Sequence, residues 1–78
     1  MSILATRMKE LRKTSGFSQE LAAKELNIAM PTYCRYEYGQ REPNATTIAA
    51  MARLYHVSAD YLLGITDDPT WRGPADEP

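Results

Sequence analysis

The chain has one cysteine, Cys34, and one histidine, His56, among 78 residues. A lone thiol excludes an intramolecular disulfide. Two such ligands are too few for a structural zinc site, which takes four thiolates or imidazoles. Small chains often depend on such a device, because they bury a smaller share of their surface than large ones do. This one is left with efficient helix packing or with a partner. Long apolar runs are also missing. A stretch such as Tyr61-Leu62-Leu63-Gly64-Ile65 is far short of a membrane span. The opening MSILATRMKELRK lacks the apolar segment of a secretory signal. Together with the unpaired cysteine, these absences set the expectation of a cytoplasmic protein with no membrane partner. The triplet Asn44-Ala45-Thr46 matches a glycosylation acceptor but has no secretory route to serve. No nucleophile–base–orienter set and no phosphate-binding loop is present, so neither an enzyme nor a cofactor is expected. Asp67-Asp68 has no third ligand, so no metal is expected either. Strand-like alternation and internal repeats are likewise missing.

What remains is ordinary globular material, 44% hydrophobic and 24% charged, which excludes a disordered chain. The net charge of −1 looks wrong for a nucleic-acid binder, but the imbalance is local. From residue 67 onward four acidic residues face Arg72 alone. Residues 1–66 carry eight Lys/Arg against six Asp/Glu, and residues 1–41 carry seven against four. A modestly basic body with an acidic tail is compatible with DNA binding without requiring it.

The pattern predicts an all-α fold of five short helices. Helix one, about Ser2 to Ser15, places Leu4, Met8 and Leu11 on one face and Arg7, Lys9, Glu10 and Lys13 on others. Gly16 ends it, and Phe17 follows as the hydrophobic contact of a glycine C-cap. Ser18 caps helix two, with Leu21, Leu26 and Ile28 marking its apolar side and Glu20–Lys24 forming an i,i+4 pair. Asn27 ends it in the left-handed conformation. Helix three begins near Met30, with Pro31 in its first turn and Ala29 as a poor cap, and stops at Gly39. Tyr33, Tyr36 and Glu37 share one face; Met30, Thr32 and Arg35 point elsewhere. After the loop Gln40–Pro43, Asn44 caps helix four, with Ile48, Met51, Ala52 and Tyr55 on one side and His56 solvated at its end. Ser58 caps helix five, with Tyr61, Leu62 and Leu63 inside and Gly64 at its end. The rest, 66–78, has three prolines and no periodicity, and is expected to be a flexible acidic tail following a domain of residues 1–65.

Two short helices joined by a short turn fit a helix-turn-helix, whose second helix enters the major groove. The same spacing fits a plain helical bundle. The choice turns on particular residues: Phe17-Ser18-Gln19-Glu20-Leu21-Ala22, Leu26-Asn27-Ile28, Tyr33 to Pro43, Ile48 to Val57, and Asp60-Tyr61-Leu62-Leu63-Gly64. In these stretches, over about residues 4–65, the chain resembles the phage repressor/Cro-type helix-turn-helix domain. The resemblance implies a compact five-helix lambda-repressor-like bundle. It also implies a sequence-specific DNA-binding regulator, with repression the commoner outcome.

By that resemblance Gln19 touches a phosphate and braces a recognition-helix side chain. Met30, Pro31 and Arg35 meet base edges, and Thr32 meets the backbone. Tyr38, Gln40 and Arg41 lie in a phosphate-clamping loop. Cys34 occupies a groove-facing position, where serine-like packing is the expected role. Arg12 and Glu37 match a pair that locks helix one to helix three. The implied partner is a two-fold double-stranded DNA operator, bound by a homodimer formed through helix five and the tail.

Two departures from the family pattern matter. Met30 and Pro31 replace polar residues often found there, and Ala29 replaces a capping serine. Readout is therefore expected to lean on Arg35, on apolar contact with thymine methyls, and on DNA shape. Tyr38 has either its hydroxyl or its backbone N–H to offer a phosphate. A competing function is a protein-interaction module of the same fold, antitoxin-like or anti-repressor. That reading predicts weak DNA affinity and a partner bound near Trp71.

Overall fold

The computed structural model describes residues 2–71. Five helices follow one another: α1 (Ile3–Thr14), α2 (Gln19–Glu25), α3 (Met30–Glu37), α4 (Ala45–Tyr55) and α5 (Ala59–Leu63). The described residues contain no strand. Four of the helix starts are set by a side chain. Ser2, Ser18, Asn44 and Ser58 accept from the backbone N–H of Ala5, Leu21, Thr47 and Tyr61, which satisfies a donor that has no intrahelical acceptor. α3 is the exception: Ala29 has no side-chain oxygen to offer and makes no side-chain cap bond.

The stops are equally local. Gly16, Asn27 and Gly39 adopt positive φ after α1, α2 and α3. In each case the following residue donates back five positions: Phe17 to Arg12, Ile28 to Ala23, Gln40 to Arg35. That is the Schellman closure, which needs a residue tolerant of the left-handed conformation. His56 is left-handed too, and it ends α4 in a conformation uncommon for non-glycine residues, among which histidine is one of the enriched types.

The core lies where the five helices meet. Leu4, Met8, Ala22, Ala23, Leu26, Tyr33, Tyr36, Met51, Ala52, Tyr55, Val57 and Leu62 form one buried cluster. α2 packs on α3, α1 on α3 and α5, and α4 on α5. The expected inner faces of α1, α3 and α4 agree with this arrangement. Those of α2 and α5 do not. Ala22 and Ala23 are buried while Leu21 is exposed, because two alanines let α2 approach its neighbours closely. On α5 only Leu62 is fully buried; Leu63 points to solvent and Tyr61 is half-buried.

Residues 66–71 also depart from expectation, because they are folded back on the body rather than loose. Arg7 donates to the carbonyls of Tyr61 and Thr66 (2.8 Å for the latter) and to Asp67 (2.7 Å), with its guanidinium 4.1 Å from the centre of the Tyr61 ring. Ser58 N–H donates to the Pro69 carbonyl at 3.2 Å. Trp71 stacks on His56 at 5.2 Å between ring centres and packs against the core. So His56, though exposed, is not merely solvated. The remainder of the proposed tail, 72–78, lies outside the described residues.

Candidate nucleic-acid interface

α2 and α3 are joined by the four residues Leu26–Ala29, a helix-turn-helix connection. The turn is held by the Asn27 closure and by Leu26, which is buried beneath it. α3 is thereby fixed with Tyr33, Tyr36 and Glu37 inward and Met30, Pro31 and Arg35 exposed. Thr32 and Cys34 are half-buried at the edges of the outer face. The outer face therefore starts with an apolar tip, Met30-Pro31, and carries a cation one turn on, at Arg35.

The brace expected between helix one and helix three is present. Arg12 Nε donates to Glu37 Oε2 at 2.6 Å and Arg12 Nη2 to Oε1 at 3.3 Å. Arg12 also donates to the Phe17 carbonyl at 2.8 Å. Gln19 Nε2 donates to Glu37 Oε1 at 3.2 Å. One carboxylate at the end of α3 thus gathers side chains from α1 and from the first turn of α2. Burial opposes ionisation of Glu37, but bonds from Arg12, Tyr33 and Gln19 outweigh it and hold the carboxyl below its usual range. The bond to Glu37 raises the Arg12 guanidinium in turn. Farther in, the hydroxyls of Tyr33 and Tyr55 share a 2.8 Å hydrogen bond, and burial pushes both phenols up. Gln19 ties the start of α2 to α3 at Glu37, and Tyr33 ties α3 to α4 at Tyr55, with no buried side-chain polar atom left unpaired among the described residues, an arrangement that favours one rigid geometry.

Gln19 spends one of its amide protons on Glu37. Its second amide proton and its carbonyl oxygen remain for other partners. The backbone N–H groups of Tyr38, Gly39 and Gln40 donate to Cys34, Tyr36 and Arg35, so they close the helix and are not available to a phosphate. What Tyr38 offers is its hydroxyl, on a side chain that is 56% exposed. Gln40 and Arg41 are exposed as well, and the Arg41 backbone N–H makes no hydrogen bond among the described residues. Pro43, by contrast, is buried and anchors the loop to the body.

The structure thus brings Gln19, Glu37, Arg12 and Tyr38 to one end of α3 and leaves Met30 and Pro31 at the other. Sequence reasoning missed Arg7. Nothing in the local pattern separates it from the other cations of α1, because its partners are 54 to 60 positions away.

A Helix-turn-helix family model matches residues 8–62. The uncharacterized HTH-type transcriptional regulator YobD of Bacillus subtilis is 41% identical over 63 residues, which is 81% of this chain and 56% of that protein. The HTH-type transcriptional regulator ImmR of the same organism is 43% identical over 61 residues, 78% of this chain and 48% of that one. The chain spans about half the length of these relatives. Among solved structures, the solution structure of the P22 c2 repressor DNA-binding domain superimposes with a TM-score of 0.73 at 25% identity, covering 77% of this chain and 79% of that domain. The crystal structure of the P22 c2 repressor in complex with a synthetic operator superimposes with a TM-score of 0.75 at 24% identity, covering 81% and 96% of the two chains. At that identity the last comparison speaks for the fold. The five helices, the α2–turn–α3 geometry and the matched residues agree: the chain belongs to the helix-turn-helix family, in its phage repressor form.

Proposed function

We propose that this chain binds duplex DNA sequence-specifically and regulates transcription, with repression by operator occupancy as its mode of action. The observation that carries the reading is the division of α3. Its inner face is locked into the core through Tyr33, Tyr36 and Glu37, while Met30, Pro31 and Arg35 stand clear of the body. A helix presented in this way fits the major groove, which admits one α-helix. The names of the relatives and the likeness to the DNA-binding domain of the P22 c2 repressor support the same reading.

In this mechanism phosphate contacts fix register and base contacts specify. Gln19, Thr32, the Tyr38 hydroxyl, Gln40 and Arg41 hold the backbone. Arg35 donates to O6 and N7 of guanine. Met30 and Pro31 supply apolar contact to thymine methyls, with DNA shape adding selectivity, and Cys34 packs at the groove wall. The domain of residues 1–65 carries these contacts, and the site of action is the cytoplasm, where the DNA is.

The same reading includes a homodimer on a two-fold operator. Leu63 and Ile65 are 44% and 71% exposed at the end of α5, and Ile3, 46% exposed, lies over Gly64 beside them. Large apolar side chains exposed around Gly64 on a small domain favour a second copy of the same surface. A two-fold operator read by such a dimer requires the two recognition helices about 34–36 Å apart, one turn of DNA.

The test is selection of bound sequences from a random duplex library, with wild type and Arg35→Ala compared at fixed salt. A palindromic site whose guanine preference weakens in the variant supports the reading. Recovery of no motif from wild type sinks it.

A further inference from the structure

A shallow groove runs between α1 and the end of α3. Its walls are Ala5, Thr6, Lys9, Glu10 and Lys13 on one side and Tyr38 on the other, with Glu37 at its base. Lys9 and Lys13 are one helical turn apart and so stand one above the other along this wall. Both are exposed, and neither ammonium has a carboxylate partner among the described residues. The Glu37 charge is already matched by Arg12. Glu10 is the one acidic group left to offset the two lysines. The groove therefore keeps a positive balance at the end of the molecule where Gln19 and Tyr38 also stand.

We infer that Lys13, supported by Lys9, belongs to the DNA-contacting surface and extends the phosphate clamp from the α3–α4 loop onto the outer wall of α1. The inference rests on the reading of that loop as a phosphate clamp. The connection runs through Glu37. Arg12 ties the last turn of α1 to Glu37, and Tyr38 follows Glu37 directly. A strand whose phosphate sits against the Tyr38 hydroxyl passes over this junction, and Lys13 is the next cation on that path. An ammonium on a flexible stem suits the role, since it can follow a phosphate without a fixed geometry. A second role is open to the same residue. A cation in the last turn of a helix also favours the helix dipole, and that role needs no DNA.

Binding measured against salt separates the two roles, because each phosphate neutralised adds about 0.9 to the slope of log K on log salt. The full chain is titrated onto a fluorescein-labelled mixed-sequence duplex about two helical turns long, across a salt series. Wild type is compared with Lys13→Ala, Lys13→Arg, Arg41→Ala and Arg53→Ala. Arg53 lies in the last turn of α4 and lines no part of the groove. The expected result for Lys13→Ala is a slope shallower by about one and a loss of about fivefold in affinity near 0.15 M salt. Lys13→Arg and Arg53→Ala keep the wild-type slope. A lowered melting temperature for Lys13→Ala with an unchanged slope, while Arg41→Ala flattens it, overturns the inference and leaves the loop clamp standing. An equal change in Lys13→Ala and Arg53→Ala also overturns it, since overall charge is then the cause. If neither Lys13→Ala nor Arg41→Ala alters the slope, the loop clamp itself falls, and this extension with it.

Discussion

Arg12 meets Glu37 through two hydrogen bonds to a carboxylate whose side chain has no solvent exposure. A buried charge left without its partner is expensive, so Arg12→Ala and Glu37→Gln are each expected to cost about 3–5 kcal/mol. That is a large share of the stability of a domain this size. Arg12→Lys, which keeps the charge but loses the planar fork, is expected to cost less than Arg12→Ala. Urea denaturation of the three variants decides the matter; a loss below about 1 kcal/mol for both Arg12→Ala and Glu37→Gln contradicts the brace.

Acid sensitivity follows from the same pair. The Glu37 carboxyl is lower in the folded chain than its ordinary value of 4.5. A depressed folded value contributes stability that is fully present above the ordinary one and is lost as pH falls through the folded one. Wild type is therefore expected to lose this contribution on acidification from about pH 5 downward, while Glu37→Gln shows a shallower dependence over the same range. Parallel pH profiles for the two proteins would remove Glu37 from the account.

Gly64 and Gly16 share a positive φ but differ in their surroundings. A Cβ on Gly64 would lie 2.5 Å from Ile3 Cγ2, whereas one on Gly16 meets nothing within 4 Å. Gly16→Ala is expected to cost only the left-handed penalty of about 1–2 kcal/mol. Gly64→Ala adds the clash with Ile3, and Ile3→Ala in the same chain should recover part of that excess. Equal costs at the two glycines in chemical denaturation would show that Ile3 gives way freely.

Trp71 is the sole tryptophan, so its fluorescence reports the docking of residues 66–71 alone. Arg7→Ala removes the bonds to Tyr61, Thr66 and Asp67 and is expected to shift the emission to the red. The helical circular dichroism should stay unchanged under native conditions. An emission maximum that matches a fully exposed indole in wild type would refute the stacking on His56.

The exposed trio Ile3, Leu63 and Ile65 predicts the oligomeric state. Leu63→Glu sits on an exposed position and is expected to leave the fold intact while dissociating a dimer, with weaker binding to a two-fold site. Sedimentation equilibrium on both proteins checks it. Wild type that stays monomeric at every concentration, on DNA as well as free, excludes this surface as an interface.

The ends of the helices were legible from sequence because capping is local. Ser18, Asn44 and Ser58 each accept from an N–H three positions on, and Gly16, Asn27 and Gly39 turn the chain within a few residues. No distant contact is needed to choose them. The same holds for the lack of a cap at Ala29. The Arg12–Glu37 brace was reached through the family resemblance, since residues 25 positions apart announce nothing to each other in a pattern. Tertiary structure alone decided which way the shortest helices face. α2 has seven residues and α5 has five, too few turns for hydrophobic periodicity to define a direction. Leu21 and Leu63 therefore read as core and lie outside, displaced by alanines that pack closer and by Leu62. It also decided the place of Arg7 and of residues 66–71. A chain segment without periodicity is ordered only by partners elsewhere, and here those are the guanidinium of Arg7, the backbone N–H of Ser58 and the ring of His56.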